Sequence, residues 1–309
     1  MTETSHHIAD AGRDNWVERL LPLATQPYAQ LMRLDRPIGW WLLLLPCWWG
    51  LFLAQVSQGG GLPSLWFAFL FWVGAIVMRG AGCTLNDIVD RDFDGRVART
   101  KGRPIPSGRV SVKQAFIFLA TQSLLGLAVL LQFNFHTVVL ATASLLIVAI
   151  YPFMKRITNW PQLVLGLAFN WGALVGWLAV AGEPSGPMIL LYAGSTAWVI
   201  GYDTIYALQD REDDALIGVR SSALRLGGNV KPGIGLFYGI ALACWAGAFW
   251  IVRPQFLTLA TLLPPAFHLG WQVVALKTDD GGDALAKFRS NRFAGFLVAL
   301  ACLVVGASA

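Results

Sequence analysis

A chain of 309 residues that is 56% hydrophobic and only 13% charged, with a mean hydropathy of +0.56, is too apolar to be a water-soluble domain with a covered core. Its net charge of +5 and pI near 9.2 call for no nucleic-acid partner, because the basic residues gather in loops between apolar runs, as membrane topology requires. The class expected is an all-α integral membrane protein whose principal surroundings are the lipid bilayer.

In chain order, residues 1–37 are polar and end in Leu34-Asp35-Arg36-Pro37, without the charged, apolar and small-residue succession of a cleaved signal peptide. They are expected to form a cytoplasmic N-terminal segment ahead of one membrane domain over 38–309. Runs near the about 20 residues needed to cross hydrocarbon fall at Ile38–Val56, Pro63–Leu85, Val112–Leu131, His136–Met154, Trp160–Ala181 and Pro187–Leu208. Three more fall at Gly233–Val252, Pro254–Leu276 and Phe288–Ala309, which makes nine.

The basic residues alternate with that count. Arg13, Arg19, Arg33 and Arg36 precede the first run, and Arg91, Arg96, Arg99, Lys101, Arg103 and Arg109 fill the second loop. Lys155 and Arg156 occupy the fourth, Arg211, Arg220, Arg225 and Lys231 the sixth, and Lys277, Lys287 and Arg289 the eighth, with Arg253 the one exception. Short cytoplasmic loops are enriched in Lys and Arg, so the alternation predicts nine spans, a cytoplasmic N-terminus and an extracytoplasmic C-terminus. Cys47, Cys83, Cys244 and Cys302 all fall in apolar runs with no metal or disulfide spacing, and are expected to be packing residues. The 14 Trp are expected at the lipid interface or in helix packing.

Two acidic clusters stand at the ends of the second and sixth runs: Asn86-Asp87-Ile88-Val89-Asp90-Arg91-Asp92-Phe93-Asp94, and Asp210-Arg211-Glu212-Asp213-Asp214. Their recurrence at matching places suggests an internal pseudo-repeat. Asn86, Asp90 and Asp94 are four apart, and Asp210 and Asp214 repeat the spacing. If the second helix continues past the membrane edge, the first three line one face. Like charges at that spacing destabilise a bare helix, and carboxylates at membrane depth cost more, so a cation should offset them. Oxygen ligands without nearby His or Cys favour a hard ion, and Mg²⁺ uses one or two carboxylates plus waters and substrate phosphates. Pairing of Asp87, Asp90, Asp92 and Asp94 with Arg91, Arg96 and Arg99 on a solvated loop would suffice for a lone Asp; two equally spaced clusters, each at a helix end, favour a metal site.

The surrounding basic residues suit a polyanionic substrate. Lys101-Gly102-Arg103-Pro104 follows the first cluster and Tyr151-Pro152-Phe153-Met154-Lys155-Arg156 closes the fourth run; each basic residue here serves equally as a topological anchor. Arg79 differs, because an Arg about two turns before the first cluster is costly unless it faces a polar cavity.

These motifs together resemble the UbiA superfamily of intramembrane aromatic prenyltransferases. The matching residues are Met78-Arg79-Gly80-Ala81-Gly82-Cys83-Thr84-Leu85-Asn86-Asp87, the N-x-x-x-D-x-x-x-D run, Lys101–Gly108, Tyr151–Arg156 and the D-x-x-x-D at Asp210 to Asp214. Tyr202–Asp210 with Ile217-Gly218-Val219-Arg220-Ser221-Ser222 is most similar to the bacterial 4-hydroxybenzoate branch. Glu212 stands where that branch more often has Asp. The resemblance spans about residues 30–305. It implies a nine-helix bundle with a lateral, cytoplasm-facing cavity in a bacterial inner membrane. It further implies transfer of a polyprenyl group from polyprenyl diphosphate to the 4-hydroxybenzoate carbon ortho to the hydroxyl, in ubiquinone biosynthesis, with no obligate protein partner. By matching position, Asn86, Asp90, Asp94, Asp210 and Asp214 would bind Mg²⁺ and diphosphate, the four Asp being the catalytic set. Lys101, Arg103, Tyr151 and Lys155 would support the leaving group, with Arg79 beside them. Arg91 and Arg156 would neutralise either the leaving group or the acceptor carboxylate.

Rival readings are a haem- or chlorophyll-type member of the same superfamily and, from another class, a secondary transporter, which should carry acids near mid-membrane with interrupted helices. Asp94-Gly95-Arg96-Val97-Ala98-Arg99 also has part of the CDP-alcohol phosphotransferase pattern, but Arg91 and Val112 stand where that pattern needs acids.

Overall fold

The computed structural model describes residues 15–95, 100–209, 211 and 220–307, with no side-chain description for 152, 153, 155 and 156. Among the described residues every regular element is helical. Two short helices, α1 (Trp16–Leu20) and α2 (Gln26–Leu31), precede α3 (Ile38–Ser57), α4 (Leu65–Val89), α5 (Arg91–Asp94), α6 (Val112–Leu130), α7 (Phe135–Ile157), α8 (Pro161–Ala181) and α9 (Gly186–Ala207). There follow α10 (Ser222–Leu226), α11 (Val230–Val252), α12 (Phe256–Ala260), α13 (Leu263–Ala275) and α14 (Gly281–Ala307).

Each of the nine apolar runs coincides with helix, and the eighth is split between α12 and α13. By length and composition together, six helices suffice to cross a membrane: α3, α4, α6, α8, the stretch Ser222–Val252 and α14. A shorter apolar helix lies at Phe135–Tyr151. Large apolar side chains such as Phe116, Ile117 and Leu124 on α6, and Val139, Leu145 and Leu146 on α7, are exposed, a pattern that hydrocarbon accepts and water does not. The protein is a multi-pass membrane protein.

The chain forms two compact units, residues 1–41 with 70–132, and 42–69 with 133–309. In the first, Leu31, Ile88, Ile105, Val110 and Ala115 make a small core against which Tyr28, Val112, Phe118 and Leu119 pack. That core joins α2, the end of α4, the loop 100–111 and the start of α6. Ser111 and Gln114 form a reciprocal capping box that fixes where α6 begins. Gly80 leaves room for neighbours: a Cβ there would meet Gln122 Nε2 at 2.6 Å and Met32 Cγ at 2.9 Å.

In the second unit α9 packs against α8, α11 and α14. Small residues bring α3 and α8 to backbone contact: a Cβ at Gly50 would lie 2.9 Å from Ala173 C and from Trp177 N, and one at Gly176 2.9 Å from Leu51 N. Close approach through small residues is how helices associate without a hydrophobic driving force. Trp49, Trp198 and Trp245 are at most 1% exposed and meet ring to ring, with centroids 5.1, 5.4 and 6.3 Å apart. Each indole N–H is satisfied internally, Trp49 by Gly295 O, Trp198 by Asn291 Oδ1 and Trp245 by Ser195 Oγ. These three Trp therefore serve packing and not the lipid interface. The four cysteines are free thiols, three of them buried.

Candidate active site

The last turn of α4 carries Asn86 and Asp87, and the helix stops at Val89. Asp90, at φ −89° and ψ 3°, separates it from the single turn of α5. The expected continuous helix through the first cluster is thus broken at Asp90. The i to i−4 hydrogen bonds nevertheless persist across the break, Asp90 N–H to Asn86 O at 2.9 Å and Asp94 N–H to Asp90 O at 2.8 Å. Asn86, Asp90 and Asp94 therefore stay on successive turns while their surroundings diverge: Asn86 is exposed, Asp90 half-buried and Asp94 buried.

Asp87 is fully buried, which an ionised carboxylate tolerates only when paired. Its Oδ1 accepts from Arg33 at 2.5 Å and from Arg103 at 3.4 Å. Arg103 donates to Asp94 Oδ2 at 2.7 Å from the same terminal nitrogen. Two carboxylates and two guanidiniums thus form one chain of charge, Arg33 to Asp87 to Arg103 to Asp94, with every member's side chain at most 15% exposed. Nearby in sequence, Arg109 donates to Gln30 Oε1 at 2.8 Å and Gly102 O at 2.7 Å, and Thr100 Oγ1 donates to Asp94 O at 2.9 Å.

Burial, and then the neighbouring Asp94 carboxylate, push the Asp90 carboxyl above its ordinary range; Arg103 opposes the shift, Asp87 adds to it, and a hydrogen bond from Asn86 opposes it. Among the described residues no ion pair engages Asp90. Its environment would welcome a further positive charge, and with the Asn86 amide it offers the oxygen donors a hard divalent cation takes. The donor set fits such an ion, although no three acidic, His or Cys groups converge on a metal position among the described residues. Mg²⁺ rarely uses a closed protein cage and takes one or two carboxylates with phosphates and water.

The other expected residues divide as follows. Arg103 is held by Asp94 and Asp87, as above. Arg91 is exposed, donates to Ile88 O at 3.0 Å and lies 3.5 Å from Asp92. Lys101 is exposed. Arg79 is half-buried and its guanidinium lies along Gly39, where a Cβ would come within 2.8 Å of Arg79 Nε. Tyr151 is half-buried on α7. Asp210 and Asp214, and the side chains of Lys155 and Arg156, lie outside the described residues. Arg220 donates to Ile157 O at 2.7 Å, which ties the segment just ahead of α10 to the end of α7.

Two participants escaped the sequence reading as site residues. Arg33 looked like one more topological anchor, and Asp87 like a loop carboxylate. A signal did exist for Asp87, since it is an acid inside an apolar helix; its partner lies 54 residues away in sequence.

A multi-pass helical membrane protein with an acidic helix end buttressed by arginine is the class these features define. Residues 43–303 match the UbiA prenyltransferase family, and the chain belongs to that family. It is 44% identical over 282 residues to the mitochondrial 4-hydroxybenzoate polyprenyltransferase of Aedes aegypti, covering 91% of this chain and 64% of that protein. It is 46% identical over 283 residues to the protein of the same name from Rattus norvegicus, covering 90% of this chain and 74% of that one. Among solved structures, a UbiA homolog from Aeropyrum pernix K1 aligns with TM-score 0.70 at 23% identity, over 85% of this chain and 97% of that one. A UbiA homolog from Archaeoglobus fulgidus bound to GPP and Mg²⁺ aligns with TM-score 0.61 at 18% identity, over 91% and 99%. Family membership sets aside the secondary transporter.

These relatives also correct the expected location. Both are named as mitochondrial, which runs against the expected bacterial inner membrane. The reason is physical: alternating basic loops report the orientation of helices relative to the side of insertion and are silent on which membrane receives them.

Proposed function

We propose that this chain is a 4-hydroxybenzoate polyprenyltransferase, moving a polyprenyl group from its diphosphate to the ring carbon ortho to the hydroxyl, in ubiquinone biosynthesis. The carrying observation is identity of 44–46% to curated 4-hydroxybenzoate polyprenyltransferases across about nine-tenths of the chain, joined to an acidic helix end of the composition that diphosphate chemistry needs. Residues 38–309 act as one catalytic domain of nine spans with a laterally open cavity, and residues 1–37 precede it.

Asn86, Asp90 and Asp94 from the first cluster, with Asp210 and Asp214 from the second, are the proposed ligands of Mg²⁺ and diphosphate, and binding of GPP and Mg²⁺ by the Archaeoglobus homolog supports that metal. When bound, the ion supplies Lewis-acid neutralisation of the leaving diphosphate. Lys101, Arg103, Tyr151 and Lys155, with Arg79, present positive charge and a hydroxyl to the same group, so that departure of the diphosphate leaves an allylic cation next to compensated charge. Arg91 or Arg156 orients the acceptor through its carboxylate, which sets the carbon ortho to the phenol against the cation. Aromatic side chains and the surrounding hydrocarbon keep water from that cation. After carbon–carbon bond formation the ring proton passes to a carboxylate or a diphosphate oxygen, restoring aromaticity. No covalent enzyme intermediate is required.

The test is the mass of the product formed by purified protein from a mixture of polyprenyl diphosphates and 4-hydroxybenzoate, with and without chelator. Prenylated acceptor that disappears with chelator supports the reading; prenyl transfer only to a different aromatic acceptor, or none at all, overturns it.

A further inference from the structure

Arg33 is the single non-glycine residue among those described with a positive φ, +57°. It ends α2 in a Schellman arrangement: Leu34 N–H reaches Ala29 O at 3.0 Å and Arg33 N–H reaches Gln30 O at 3.1 Å. The position after a helix end in that motif favours glycine, because a Cβ crowds the left-handed conformation. Here the strained place is filled by an arginine whose side chain is only 12% exposed and whose terminal nitrogen sits 2.5 Å from fully buried Asp87. A topological anchor would instead extend to the headgroups. A strained backbone that carries a buried charged contact is the kind of outlier from which a role can be argued.

We infer that Arg33 is a positioning residue for the first acidic cluster: its left-handed turn delivers a guanidinium that neutralises Asp87 and leaves Arg103 to hold Asp94. Without Arg33, Arg103 alone would answer both carboxylates, from one nitrogen now 2.7 Å from Asp94 and 3.4 Å from Asp87. The cluster would lose its set geometry around Asp90. The segment ahead of the first span is on this account a working part of the site and not a tail. The inference rests on the proposed metal role of Asp90.

Arg33→Gly separates the possibilities, because glycine suits the turn and removes only the side chain. In full-length protein in detergent, binding of Mn²⁺ followed by electron paramagnetic resonance should weaken by about tenfold or more, as loss of outer-shell support typically does. The KM for polyprenyl diphosphate should rise while that for 4-hydroxybenzoate holds, and melting should fall, because a glycine-compatible turn offsets only part of the loss of the nearer guanidinium from buried Asp87. Arg33→Lys should fall between. Wild-type Mn²⁺ binding and an unchanged diphosphate KM in Arg33→Gly would overturn the role. If Arg33→Gly fails to insert, the Arg33→Gly/Asp87→Asn pair decides: recovered insertion with weak Mn²⁺ binding supports positioning, and persistent misfolding overturns it in favour of a folding role alone. If wild type transfers no prenyl group to 4-hydroxybenzoate yet Arg33→Gly weakens Mn²⁺ binding, the proposed function falls and the positioning role stands.

Discussion

Arg103 and Asp94 are joined at 2.7 Å, and the same guanidinium nitrogen lies 3.4 Å from Asp87, so one side chain from the loop after α5 locks the end of α4 to the turn that follows. A basic residue of the Lys101–Gly108 motif is thereby committed to the protein's own carboxylates before any substrate arrives. Any contact of Arg103 with diphosphate must compete with or share those partners.

Arg103→Met should therefore act on stability as well as on turnover. Removing one partner of a buried pair leaves uncompensated charge, at a cost of about 3–5 kcal/mol. The expected outcome is a lower melting temperature in detergent, measurable by fluorescence or circular dichroism. A variant that melts like wild type and loses only activity would make the pairing incidental.

Asp90 and Asp94 should separate in the same assay. Asp90 is half-buried and outside every described ion pair, so Asp90→Ala is expected to abolish prenyl transfer with insertion and melting near normal. Asp94→Ala removes the partner of Arg103 and should lose stability too. Asp210→Ala is expected to follow Asp90→Ala. Near-normal transfer by Asp90→Ala or Asp210→Ala would remove those residues from the metal assignment.

Chelation should stop turnover without unfolding the protein, because the packing of both units rests on helices and ion pairs that need no metal. Transfer measured after EDTA should return with added Mg²⁺, and melting in EDTA should match untreated protein that has not been supplied with metal. Activity that survives exhaustive chelation would count against the divalent cation altogether.

Gly50→Ala probes the contact between α3 and α8. The added methyl would press on the Ala173 carbonyl group and on Trp177 N, both backbone, which cannot swing aside. Overpacking of this kind costs about 1–3 kcal/mol, and a lowered melting temperature should show it. Asn291→Ala tests a different term: it leaves the buried Trp198 N–H without its acceptor at 2.9 Å, for a loss of about 1–3 kcal/mol.

Residue order alone sufficed for the membrane class, for a helix in each apolar run, although α14 starts well before the run at Phe288 and the run Pro254–Leu276 is two helices, and for the placing of Asn86, Asp90 and Asp94 on successive turns. Each of these is local, since hydropathy over about 20 residues reports a span and a spacing of four reports successive helical turns. The expectation failed where locality fails. Like charges weaken the helix at Asp90, and whether the chain continues there depends on what compensates them. The answer is Arg33, 54 residues upstream of Asp87, together with Arg103, and pairwise charge neutralisation at that separation leaves no periodic trace. Three Trp expected at lipid or in packing proved to be packing for the same reason: Trp49, Trp198 and Trp245 come from three helices, and only their convergence supplies each ring with its neighbours and each N–H with an acceptor. Packing brought these distant groups together because buried charge and buried N–H groups must find partners wherever the chain can supply them.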